Sequence, residues 1–187
     1  MLGLDVSKTV LISCYGVYDL EYRSTLQIEG LQSYFGGIYK YLKPIKDDLK
    51  SVVFCGGYRN LAISEAETGR DYFLSLGGDF ENFPLLLNTT SNSLIRNLAL
   101  GFLTTCEGFL SQDLLIICDN FRVERVKNLS KILFEGLGLK IEVKGFERKD
   151  DHPHSNQKYQ LENALTEDLN NPELGIWKQL LTTQITK

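Results

Sequence analysis

The sequence contains no apolar run that could cross a membrane, because no stretch of about 18 or more apolar residues occurs in it. Its first residues, "MLGLDVSKTVLISC", lack the basic region and the long apolar stretch of a secretion signal. Four cysteines in 187 residues are too few and too scattered for a disulfide scaffold. We therefore expect an intracellular, cytoplasmic protein with free thiols.

Basic charge is also in short supply. The chain has 20 Lys and Arg residues against 24 Asp and Glu residues, a formal net charge of −4 at pH 7. Nucleic-acid binding needs a basic face for the phosphates, and lipid surfaces attract basic amphipathic helices. The sequence shows neither pattern, so we expect no nucleic-acid partner and no membrane span.

What the sequence does contain is a regular alternation of apolar segments and helical patterns. Strands that alternate with helices predict a mainly parallel sheet covered on both faces, which is a three-layer α/β/α fold. Apolar residues at spacings of three and four predict the helices between the strands. The five segments predicted as strands are 8–14, 51–55, 83–87, 113–118 and 140–146.

The chain is predicted to form one domain with a C-terminal extension. Residues 1–150 are predicted to be the ligand-binding domain, and residues 151–187 a polar loop and helices that pack on the same domain. One of these helices is expected near 157–169 and another from Pro172, a residue suited to the first helical position. Three apolar side chains are predicted to hold the last helix down: Trp177, Leu180 and Leu181.

Loops at the carboxyl ends of the strands are the places to look for a site, because open α/β sheets bind ligands there. The first loop offers Gly16 for a close approach. In the second, "SVVFCGGYRNLAISEAE", Gly56 and Gly57 allow positive φ and let backbone amides approach a ligand, and the next helix N-terminus favours an anion. Ser64 and Glu67 equally fit a capping box that serves the helix alone. The residues leave both interpretations open.

Two arginines stand out in the fourth loop, "CDNFRVER". Arg122 and Arg125 fall in the first turns of a predicted helix, where cations are disfavoured by the helix dipole. An anionic ligand would neutralise their charge, and so would a salt bridge to a nearby acid. The third loop, "NTTSNSLIRN", opens a helix at Ser91 or Ser93, either of which serves as an N-cap.

Metal ligands are present but poorly arranged. The only two histidines, His152 and His154, lie in a polar loop that is expected to be solvent-exposed. Cys14, Cys55 and Cys118 each end a predicted strand, and three thiolates at one edge can hold zinc. Small buried cysteines are nevertheless common in strands. We predict no metal site.

The loop after the second predicted strand, together with the start of the next helix, resembles a motif of a known family. The stretch "CGGYRNLAISEAE" places a glycine pair, Gly56 and Gly57, upstream of Ser64, Glu65 and Ala66. In this order and spacing it resembles the "SGG" and downstream "SEA" of the YdcF/SanA/ElyC family, a widespread bacterial group of Rossmann-like domains.

The later motifs keep part of the same pattern. "SNSLIRNL" retains Ser91 and Asn97 but has Arg96 where the family usually has glutamate. "IICDNFRVERV" retains Arg125 but has Arg122 where the family usually has histidine. These departures remove the family's most obvious acid and base groups. The resemblance also carries over no well-established reaction.

Over roughly residues 8–146, the resemblance implies a Rossmann-like domain with a ligand pocket at the carboxyl edge, and one branch of the family is linked to S-adenosylmethionine. We hypothesise a small-molecule-binding protein whose ligand is nucleotide-like or otherwise anionic. The glycines would let the ligand approach, the serine and glutamate would hydrogen-bond it, the arginines would neutralise it and the asparagine would orient it. The residues of this hypothesis are Gly16, Gly56, Gly57, Ser64, Glu65, Asn97, Arg122 and Arg125.

Two alternatives stay open at this stage. The protein could be a transferase or hydrolase that acts on an activated sugar or nucleotide, with Glu65 as the general base. It could also be a catalytically degenerate scaffold whose C-terminal helices bind a partner protein.

Overall fold

The structure is a computed structural model of the chain. For 25–28, 59–60 and 185 only the backbone is described, and all structural statements below refer to the described residues. These are 7–14, 25–57, 59–60, 63–91, 93–106, 108, 111–148 and 164–185.

Five parallel strands form the central sheet, in the order β5-β2-β1-β6-β7. A separate two-stranded antiparallel ribbon, β3 with β4, follows β2. The strands are β1 (Lys8–Ser13), β2 (Leu49–Cys55), β3 (Arg59–Asn60), β4 (Ile63–Ser64), β5 (Leu85–Asn88), β6 (Asp113–Asp119) and β7 (Lys140–Phe146).

Within the described residues six helices surround the sheet: α1 (Thr25–Leu42), α2 (Glu65–Ser75), α3 (Leu94–Thr105), α4 (Val123–Leu133), α5 (164–169) and α6 (Pro172–Ile185). Short 3₁₀ helices cover Lys43–Asp48, Gly78–Phe80 and Asn120–Arg122. The predicted 157–169 helix is seen over 164–169, and its earlier part lies outside the described residues.

Two hydrophobic clusters cover the two faces of the sheet. One packs α1 and α2 against it and includes edge-to-face contacts among Phe54, Phe73 and Phe80, whose successive ring centroids lie 5.5 and 5.0 Å apart. The other packs α3, α4 and α6 on the opposite face around Phe102 and Leu181. The three-layer, Rossmann-like α/β/α class is therefore confirmed.

The predicted strands are confirmed to within two residues at each end. Strand β5 begins at Leu85 rather than at Phe83, because Pro84 has no N–H to donate to the ladder and instead accepts from the amide of Val52 at 3.0 Å. The β3–β4 ribbon was not predicted, because two-residue strands carry no readable alternation. No helix among the described residues is long and apolar enough to cross a membrane.

Helix α6 packs into the groove between α3 and α4 with one face. Leu181 is fully buried, Leu174 is 6% exposed and Trp177 packs partly against the same cluster. These positions are spaced three to four residues apart and share one face, whereas Leu180 lies about 100° away from Leu181 around the helix. Leu180 is 43% exposed, so the prediction that it packs the helix down is wrong.

Leu181→Ala is expected to lower the free energy of unfolding by about 2–5 kcal/mol, because it leaves a cavity under α6. Leu180→Ala, the same change at the exposed neighbour, should stay within about 0.5 kcal/mol of the wild type. Urea denaturation measures both variants. Equal stability of the two would show that α6 is not part of the core.

Candidate functional site

The carboxyl edge of the sheet has a topological switch point between β1 and β6. The chain leaves β1 toward α1 on one face and leaves β6 toward α4 on the other, and open α/β sheets bind their ligands at such a point. The predicted Gly16 lies in 15–24, outside the described residues. The described residues at this point are Cys14 after β1 and Asp119 at the end of β6.

Two carboxylates lie near the Cys14 thiol at this edge. Asp119 is 1% exposed, and Glu65, the first residue of α2, is half-buried. Burial raises the pKa of the Cys14 thiol well above its usual value, and the charges of Cys55, Glu65 and Asp119 raise this pKa further. Carboxylates and burial at the switch point therefore keep the Cys14 thiol protonated.

Asp119 is a site residue that sequence reasoning missed. The arginines of the loop after β6 were predicted from the sequence, whereas the acid that directly ends the strand was not. The available signal was an aspartate immediately after the most apolar segment, "LLIIC", since a carboxylate continuing such a strand is carried into the interior.

Glu65 lies over the carboxyl end of β2, beside Gly56. A Cβ atom built on Gly56 would fall 2.7 Å from Glu65 Cβ and 2.9 Å from Glu65 Oε2, so glycine is required for this close approach. The Gly56 amide donates to the carbonyl of Asn88 at 3.0 Å. The glycine therefore makes room for the acid, while its own N–H is used within the protein.

Gly57 lets the loop after β2 lie close to the turn before α3. Its amide donates to the carbonyl of Ser91 at 2.6 Å, and an added Cβ would fall 2.4 Å from that same oxygen. The glycine pair allows positive φ, but neither residue adopts it. The pair joins two loops of the edge by tight packing, and its amides are not aimed at a ligand.

The capping interpretation of Ser64 is confirmed. The amide of Glu67 donates to Ser64 Oγ at 3.2 Å, and the Ser64 amide donates to Glu67 Oε2 at 2.8 Å. Ser64 is fully buried, so its hydroxyl secures the start of α2. Glu65 is not a member of this capping box.

Arg125 is held by an acid from the C-terminal helices. Its Nε and Nη2 donate to the two carboxylate oxygens of Asp168, the second at 2.9 Å. Arg96, in the first turn of α3, makes the same two-pronged contact with Glu173, with its Nε at 2.9 Å from Oε2. The salt-bridge alternative is therefore found for Arg125, with a partner that the sequence did not indicate.

Arg122 lies at the start of α4 next to the switch point. Its guanidinium carbon stacks 4.9 Å above the ring of Phe121. Burial and the charge of Asp119 raise the pKa of Cys118 to about 12, and the positive charge of Arg122 opposes this effect. Arg122 therefore lies near enough to Cys118, the residue before Asp119, for its charge to act on that thiol.

The loop between β5 and α3 holds a buried polar cluster. Asn97 is 6% exposed, and its Oδ1 accepts from the hydroxyl of Ser91, which is 1% exposed. Asn88 ends β5 at 4% exposure. Asn88 was also missed, and its only sequence signal was a polar residue directly after an apolar segment.

The strand-ending cysteines do not converge. Cys14 packs with the α1–α2 cluster, whereas Cys55 and Cys118 pack with the cluster on the opposite face. Within the part of the chain that the structure describes, no group of three or more His, Cys, Asp and Glu residues is placed to hold a metal. The two histidines, His152 and His154, lie outside that part.

No family model, curated protein or solved structure matches this chain.

A thiol reagent should react with one cysteine of the native protein and leave the other three unmodified. All four are free, Cys106 is exposed, and burial raises the pKa of Cys55 to about 12 and that of Cys14 well above its usual value. With a thiol-specific disulfide reagent at pH 8, we expect one thiol to react in the native protein and four in urea. Cys106→Ser should abolish the native reaction, and rapid modification of further thiols would contradict the buried placement.

Asp168→Asn is expected to lower the free energy of unfolding by about 2 kcal/mol, because it weakens a charge-assisted, largely buried pair with Arg125. Glu167→Gln removes a neighbouring exposed carboxylate and should leave stability unchanged. Urea denaturation compares the two. Equal midpoints would show that the pair contributes nothing to the docking of the C-terminal helices.

Proposed function

We propose that this protein is a divergent YdcF-like small-molecule-binding protein, and that a nucleoside-type ligand binds at the carboxyl edge of its sheet. The observation that carries the proposal is that two carboxylates share the carboxyl edge of the sheet: Glu65 lies beside Gly56 at the end of β2, and Asp119 ends β6, which pairs in register with β1 up to Ile12 and Ile117. In Rossmann-type sheets this edge is the usual ligand site, and an acid near the second strand commonly accepts from ribose hydroxyls.

The charges at the edge favour one kind of ligand within this class. Arg125 is already bound to Asp168, and Glu65 and Asp119 add negative charge at the strand ends. Opposite unit charges about 4 Å apart attract by roughly 4 kcal/mol at a protein-like dielectric, and like charges repel by the same amount. S-adenosylmethionine, which carries an ammonium and a sulfonium group, therefore fits better than a polyphosphate nucleotide.

The residues take defined roles in this proposal. Glu65 accepts from the ribose hydroxyls, and Asp119 faces the cationic end of the ligand. Gly56 has no side chain and so leaves room for Glu65. The positive charge of Arg122 partly offsets the negative charge of Asp119. A cytoplasmic location accompanies the proposal, because reducing compartments keep thiols such as these free.

An enzymatic role for the same site is the second candidate, favoured by the half-buried position of Glu65 at the strand ends. Partial burial is a common way to tune a carboxylate for general-base work. In that case Glu65→Gln would lose turnover by far more than it loses affinity for the ligand.

Calorimetric titration with adenosine and with S-adenosylmethionine tests the binding proposal. Glu65→Gln should weaken both ligands by about 10- to 100-fold, because it removes a charge-assisted hydrogen bond. Asp119→Asn should weaken S-adenosylmethionine more than adenosine, because it removes a charge that only the cationic ligand meets.

Glu81→Gln, at an exposed position, is the matched control and should bind as the wild type does. Circular dichroism confirms that each variant folds. A wild-type protein that binds neither ligand would overturn the proposal.

A further inference from the structure

Asn88 holds a buried amide group in a fixed orientation at the carboxyl edge. It is the last residue of β5, pairs in register with Cys55 and is 4% exposed. Its Oδ1 accepts from the backbone amide and from the hydroxyl of Thr90, both at 3.2 Å. A backbone N–H can only donate, so the oxygen of the Asn88 side chain must face Thr90. The Nδ2 group consequently points the other way.

That Nδ2 group has no hydrogen-bond partner in the described part of the chain. Buried amide donors in folded proteins are almost always paired. The oxygens of the same loops each accept from another donor, and none accepts from Nδ2: the Asn88 carbonyl accepts from Gly56, the Ser91 carbonyl from Gly57 and Asn97 Oδ1 from the Ser91 hydroxyl. A molecule from outside the chain is therefore the natural source of an acceptor.

The position of Asn88 relative to the acids indicates which part of a ligand it meets. Neighbouring strands lie about 4.8 Å apart, so the end of β5 is one spacing from Gly56 and Glu65 and three spacings, about 14 Å, from Asp119. A nucleoside with its ribose at Glu65 and its 5′ substituent toward Asp119 extends its base over the end of β5.

We propose that Asn88 is the base-recognising residue of the site, and that its Nδ2 donates to a ring nitrogen or carbonyl acceptor of the nucleobase. This inference rests on the proposed function, because it assigns a role within the same ligand. It adds a specificity determinant to the predicted site residues, which did not include Asn88. Buried donors of this kind discriminate strongly, since a ligand without the acceptor leaves them unpaired.

Asn88→Asp is the decisive variant. An aspartate can accept from Thr90 as the asparagine does, so the turn is kept while the opposite donor becomes an acceptor. We expect at least a tenfold loss of affinity for adenosine and for S-adenosylmethionine alike, measured by calorimetry. Asn82→Asp adds the same charge at an exposed position and should bind as the wild type does.

Analogues supply a second measurement that needs no variant. Among 1-, 3- and 7-deazaadenosine, each of which lacks one ring nitrogen, we expect one to bind the wild type at least tenfold more weakly than adenosine. If all three bind as adenosine does and Asn88→Asp binds normally, the role of Asn88 is overturned while the proposed function stands. If the wild type binds neither adenosine nor S-adenosylmethionine, the proposed function itself fails and the base-recognition role fails with it.

Discussion

Burial of β1 between β2 and β6 is the constraint on which the rest of the structure depends. Val10, Leu11 and Ile12 are each at most 1% exposed, and the strand is paired on both edges. A parallel strand of this kind requires helical crossovers that cover both faces of the sheet. Polar groups can reach a ligand only where the strands end, and this is why Cys14 and Asp119 meet at the switch point.

The C-terminal helices determine the charge of that edge as much as its own loops do. Arg96 and Arg125 occupy first turns of α3 and α4, where the helix dipole disfavours cations. Glu173 and Asp168 offset that disadvantage through two-pronged ion pairs, and Leu174 and Leu181 anchor α6 in the core. The two arginines therefore help to dock α5 and α6, and the acids that remain at the edge give it negative charge.

Local features of the sequence were readable because their causes are local. Apolar runs predicted the strands, and the Ser64–Glu67 spacing predicted a cap that the structure contains. The glycine pair was recognised as a place of close approach, but the sequence could not show that the approaching groups are Glu65 and Ser91 rather than a ligand. The burial of Leu180 was predicted wrongly because Leu180 and Leu181 are adjacent and lie on different faces of the helix. Which of these faces is buried depends on the packing of the neighbouring helices.

The sequence by itself determined the alternation of strands and helices, the parallel sheet and the cap of α2, because these follow from periodicity and from contacts within a few residues. Only the tertiary structure decided which acid binds which arginine, since Arg125 and Asp168 are 43 positions apart and Arg96 and Glu173 are 77 apart. It also decided that Asp119 lies by Cys14 and that the Asn88 amide points away from Thr90. Such pairings depend on strand order and burial, which bring distant residues together in ways that no local pattern records.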